Sequence, residues 1–90
     1  MEWKQETNRI FSTSQEGNLV SEATFLTKDG IITVDHVYVN PTYRGQGIAN
    51  EAMLAVIDYL RNNHLKLAAS CPYAITWIEN NGYNYKDVLV

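Results

Sequence analysis

The stretch Asp35–Ala49, DHVYVNPTYRGQGIA, holds the change of character on which the fold turns. Its first residues close the run Ile31–Val39 (IITVDHVYV), whose β-branched and aromatic side chains favour a strand. Pro41 has no N–H for a sheet ladder, so that strand is expected to end near Asn40. From Gly47 to Arg61 apolar residues recur at helical spacing, at Ile48, Ala52, Ala55, Val56, Tyr59 and Leu60. Between strand and helix lies Tyr43–Ala49, YRGQGIA, with glycines at Gly45 and Gly47. A turn of this kind aims several backbone N–H groups at one spot, beside the positive end of a helix. Glycine lets the backbone approach an anion with no Cβ in the way. Arg44 is a bidentate donor for a phosphate oxygen, and Ala49 is small enough for close helix–sheet packing. The same residues also fit a strand-to-helix turn with no ligand. Two other phosphate motifs are excluded. The Walker pattern needs Lys and then Ser or Thr where Ile48-Ala49 stand, and the dinucleotide fingerprint needs another spacing and a longer chain.

Working outward, Arg9–Gln15 and Asn18–Thr27 flank Glu16-Gly17 as two strands of a hairpin. Lys28-Asp29-Gly30 repeats that turn chemistry before Ile31–Val39, so the simplest arrangement is an antiparallel meander. On the other side, Glu51 falls early in the helix, and Arg61 and His64 fall late, as its dipole prefers. Leu65–Ser70 suits a short strand, which makes strand, helix and strand a crossover with a parallel pair. Pro72 suits the first position of a second helix reaching about Asn80, with Asn81-Gly82 as its stop. Tyr83–Val90 is either an extra strand or a frayed end. The expected class is α+β: a mostly antiparallel sheet of about four strands, one crossover and a short C-terminal helix. Trp3, Tyr59 and Trp77 are expected to pack the core.

With 90 residues, 46% of them hydrophobic and 19% charged, residues 1–90 suit one globular domain with a thin core. Seven basic against ten acidic residues leave a net charge of -3, which excludes a general nucleic-acid binder. The single cysteine forms no internal disulfide and no paired-cysteine metal site, which suits a reducing compartment. Met1–Phe11 has mixed charge and no apolar core, unlike a signal peptide. No apolar run approaches the roughly 20 residues that span a bilayer. A cytoplasmic protein with no membrane partner and no bound metal is expected.

Arg44-Gly45-Gln46-Gly47-Ile48-Ala49 resembles the Arg/Gln-x-x-Gly-x-Gly/Ala motif of the GNAT superfamily of N-acetyltransferases. Together with Ser70–Asn81, SCPYAITWIENN, the surrounding Asp35–Ala49 is similar to the very small, single-domain branch of that superfamily. The resemblance implies a minimal GNAT-like fold in which Arg44, Gly45, Gln46, Gly47, Ile48 and Ala49 cradle the pyrophosphate of acetyl-CoA. It also implies that Val37, Tyr38 and Val39 run beside the pantetheine arm, admitted by a splay between this strand and Leu65–Ser70. The implied activity is transfer of acetyl to an amine, on a small molecule or a protein lysine. Full-size members have an N-terminal helical segment and C-terminal strands that help to form the acceptor site, and these 90 residues are expected to lack them.

Cys71 and His36 carry the candidate chemistry. Beside Pro72, Cys71 falls near a helix N-cap, where the dipole favours thiolate; it equally suits a small buried hydrophobe. His36 is expected on one strand face with Ile32, Val34 and Tyr38, as a structural residue or as a general base. Asp35 then faces away, and His64 is a cation near a helix end. The small branch carries a cysteine at the matching place. This supports transfer through acetyl-Cys71 with His36 as base, or direct transfer to the amine. Tyr73 is close enough to line the acyl pocket. The alternatives are a non-catalytic CoA or acyl-CoA binder and a small interaction domain, as a monomer or weak homodimer.

Overall fold

The computed structural model describes Met1–Val90. One five-stranded sheet runs in chain order: β1 (Lys4–Glu6), β2 (Arg9–Thr13), β3 (Leu19–Lys28), β4 (Ile31–Val39) and β5 (Lys66–Ala69). The first four strands form the antiparallel meander, and β5 lies parallel to β4 after the crossover helix α1 (Ile48–Asn63). The chain continues through α2 (Pro72–Asn81) and a short 3-10 turn over Gly82–Tyr85. This is the α+β class expected, with one more strand. β1 was not anticipated because all three of its residues are exposed, so no apolar alternation marks it. It exists through its partner: Lys4, Gln5 and Glu6 pair with Phe11, Ile10 and Arg9, and Ser12 Oγ donates to the Glu2 carbonyl at 2.6 Å. No helix is long and apolar enough to cross a membrane.

The core lies between the sheet and the helices. α1 buries Ile48, Ala52, Met53, Val56, Ile57 and Leu60, and the sheet supplies Ala23, Phe25, Ile32, Val34 and Leu67. Each large side chain buried here stabilises the fold by about 1.5–3 kcal/mol. Ala55 and Tyr59, expected on this face, lie at its flank and are only partly buried; Tyr59 stacks on Phe25 with ring centroids 5.9 Å apart. Gly82 does not end α2 through a left-handed turn, since its φ is -57°. It is buried, and an added Cβ would sit 3.0 Å from Leu89 Cδ1, so close packing against the tail favours glycine here. The tail covers the outer edge of β5. Leu67 N–H donates to Val88 O at 2.6 Å, and Val90 N–H donates to Leu67 O at 3.2 Å.

A β-bulge decides the faces of β4. Phe25 pairs with Val34 and Thr24 with His36, which leaves Asp35 without a partner. Val34 and Phe25 are buried on the helix side, so His36 is turned to the open face of the sheet. His36 and Tyr38 therefore do not share a face with Ile32 and Val34, because the extra residue reverses the alternation. Asp35, expected to face away from His36, joins it on the open side, where Thr24 Oγ1 donates to its carboxylate. Beyond the bulge it is Val37 and Val39 that face the helices.

Candidate functional site

β4 and β5 pair only over Ile31–Val34 and Lys66–Ala69. At that point the N–H groups of Ser70 and Cys71 both donate to Val34 O, at 2.9 and 3.2 Å, and the chain turns into α2. β4 runs on to Val39 with no strand paired on its β5 side. Asn40 N–H donates to Val20 O on the β3 side at 2.8 Å. Strand alternation then directs the backbone groups of Val37 and Val39 into the notch where the strands part. One of them is already engaged: Arg44 Nε donates to Val39 O at 3.2 Å.

The turn that closes this notch is built locally. Asn40 Oδ1 accepts from Thr42 N–H at 3.0 Å, and its Nδ2 donates to Leu19 O at 3.0 Å, which pins the exit of β4. Gly45 and Gly47 have φ of +81° and +75°, the left-handed region that glycine enters without strain. Gly47 caps α1, and the buried Ile48 anchors its first turn. The N-terminus of a 16-residue helix thus opens on a cleft of about 380 Å³. Val37, Val39, Arg44, Gly45, Gly47, Ile48 and Ala49 line the cleft, with Tyr43, Asn50 and Tyr73. Tyr38 and Gln46, the other two cofactor candidates, do not. Tyr38 is turned to the open sheet face, and Gln46 is exposed on the outside of the turn. A larger groove of about 430 Å³ lies between β1 and the flank of α1, but neither a glycine turn nor a helix N-terminus opens on it.

The cleft suits a ligand with an anionic group at one end and amide groups able to pair along the strand edge. Backbone N–H groups, a helix N-terminus and a guanidinium gather at one end. Val37, Val39 and Ile48 supply apolar surface beside a free strand edge. Partial burial raises the Tyr73 hydroxyl above its ordinary pKa of 10.0, and it is a protonated donor at neutral pH. Asn50 had no sequence signal beyond being a polar residue in a first turn; its Oδ1 accepts from Trp77 Nε1 at 2.7 Å. Cys71 is the N-cap of α2, 7% exposed, and packs in the core cluster with Ala74 and Trp77. The expected Cys71–His36 pairing is not assembled. Cys71 lies on the helix side of the sheet, whereas the bulge turns His36 to the opposite face.

A family model described as GCN5-related N-acetyl-transferase matches residues 10–88. Among solved structures, a GCN5-like protein from Staphylococcus aureus is 32% identical with a TM-score of 0.76, covering 99% of this chain and 87% of that one. The ribosomal-protein-S18-alanine N-acetyltransferase from Escherichia coli is 22% identical with a TM-score of 0.69, over 87% of this chain and 54% of that one. An aminoglycoside N-acetyltransferase in complex with CoA is 13% identical with a TM-score of 0.59, over 80% and 63%. The chain thus spans less than two thirds of these last two enzymes, and the likeness to them is one of fold. No curated protein matches the chain. With the family match running from β2 through the glycine turn to the tail, the chain belongs to the GCN5-related N-acetyltransferases.

Proposed function

We propose that this protein is an acetyl-CoA-dependent N-acetyltransferase acting on an amine. One observation carries the reading: the glycine turn and helix N-terminus stand at one end of a cleft whose wall is the free edge of β4. Members of this family use acetyl-CoA as acyl donor, and its thioester supplies the activated acetyl group. Arg44 and the backbone of Gly45, Gln46, Gly47, Ile48 and Ala49 hold the pyrophosphate. Val37 and Val39 offer N–H and C=O groups to the amides of the pantetheine arm, while Tyr38 between them holds the strand to β3. Arg44 must share or release its contact with Val39 O as the arm enters.

In the cleft, Tyr73 holds a proton at Oη, the proton that a departing thiolate requires. Cys71 sits where the strands part but does not line the cleft, so a second route, in which its thiol accepts the acetyl group before the amine does, requires that thiol to become exposed. Thioester exchange keeps the bond type, so little free energy separates the two sides. His36 contributes to neither route unless the bulge rearranges. The acceptor is a small-molecule amine or a protein amino group.

Native mass spectrometry with acetyl-CoA, followed by denaturation of the same sample, tests the reading. A CoA-sized adduct under native conditions is expected, together with acetylation of an offered amine. An acetyl mass that survives denaturation and vanishes in Cys71→Ala selects the covalent route; its absence with turnover intact selects direct transfer. Binding without turnover on any amine leaves a CoA-binding module. No adduct and no thermal shift at saturating CoA leave an interaction domain.

A further inference from the structure

We propose that Asn50 is a ligand-binding residue of this cleft and that Trp77 holds its side-chain amide in the orientation binding requires. The inference rests on the acyl-CoA reading only for its probe. Trp77 on α2 is 5% exposed, and its indole N–H is a donor with no acceptor capacity. It meets Asn50 Oδ1 at 2.7 Å. That bond settles which end of the amide is oxygen, because the flipped amide would set N–H against N–H and leave a buried donor unsatisfied. The Nδ2 group of Asn50, on an exposed side chain, makes no hydrogen bond within the chain, so its N–H groups are open to solvent or to a ligand in the cleft.

Asn50 lies in the first turn of α1 and lines the cleft beside Gly47 and Arg44. Its uncommitted N–H groups therefore join the donors of the phosphate turn, to be met by a phosphate or carbonyl oxygen of the ligand. Trp77 adds a link to α2, since Tyr73 stands one turn earlier on that helix and lines the same cleft. A packing role alone would use only the oxygen of Asn50.

The test is a double-mutant cycle on CoA affinity, measured by titration calorimetry with Asn50→Ala, Trp77→Phe and the double variant. Asn50→Ala is expected to weaken CoA binding by about three- to tenfold, the worth of one hydrogen bond. Trp77→Phe is expected to weaken it by a similar or smaller factor, and the double variant no further than Asn50→Ala alone. Wild-type affinity in Asn50→Ala, or two losses that multiply, overturns the proposal. If Trp77→Phe fails to fold, NMR titration of the unaltered protein decides. The Asn50 side-chain N–H pair and the Trp77 indole N–H should shift together as CoA is added. Shifts at the Gly45 and Gly47 amides with a still Asn50 pair overturn this proposal alone. Stillness at all of them overturns the CoA reading and this inference with it.

Discussion

Asp35 occupies β4 without a partner on β3, and the consequence reaches every residue after it. Val37 and Val39 come to line the cleft, and His36 is turned away from it. His36→Ala is accordingly expected to change kcat/KM for acetyl transfer by no more than about twofold, since exposed groups away from the cleft contribute little. A loss of two orders of magnitude would show that β4 reorganises when the donor binds. Gly47 is the opposite case, where backbone conformation alone makes the residue necessary. Nothing lies within 4 Å of a Cβ added there, yet its φ is +75°. Gly47→Ala should therefore cost about 1–2 kcal/mol through left-handed strain, lowering Tm by several degrees. It should also weaken CoA binding, because relief of the strain withdraws an N–H from the turn. An unchanged melting curve would argue against this cap geometry.

At the scale of elements, α1 and the tail are joined by exposed charges. Arg61 Nε and Nη2 donate to the two Asp87 carboxylate oxygens at 2.9 and 3.0 Å. The Arg61 hydrogen bond holds the Asp87 carboxyl below its ordinary pKa of 3.8. A depressed folded-state pKa favours the ionised form in the fold. The stability it adds is complete above the unfolded pKa and is lost as pH falls through the folded one. Thermal melts of Asp87→Asn should therefore lie below wild type at neutral pH and converge with it in acid. Salt should narrow the gap, because both groups are exposed. A gap independent of pH would assign the effect of Asp87 to something other than its charge. The same segment covers the outer edge of β5, satisfying the Leu67 N–H and C=O of that four-residue strand.

The whole molecule is a single sheet with helices on one side, and its stability comes from one small core. For a chain of this length stability is about 5–14 kcal/mol. Val88 belongs to that core at 3% exposure although it lies at the end of the chain. Val88→Ala should cost about 2 kcal/mol, read as a lower urea midpoint with unchanged slope. A change in slope would mean that the tail detaches separately from the rest.

What the amino-acid sequence determined by itself was whatever depends on neighbours a few residues apart. Alternation with turn residues located β2, β3 and β4, 3.6-residue periodicity located α1, and Pro72 located the start of α2. The glycines at Gly45 and Gly47, placed between a strand and a helix, marked the turn that closes the cleft. Contacts between distant residues were decided only by the tertiary structure. β1 has no pattern of its own and forms because β2 offers it an edge. The bulge at Asp35 arises from the register between β3 and β4, so the face shown by His36 was hidden in the regular alternation of the sequence. Asn50 and Trp77 are 27 residues apart, and nothing local to either specifies the bond that joins them. Local preferences reflect backbone sterics within a turn or two, whereas a site made across elements waits for the core to bring them together.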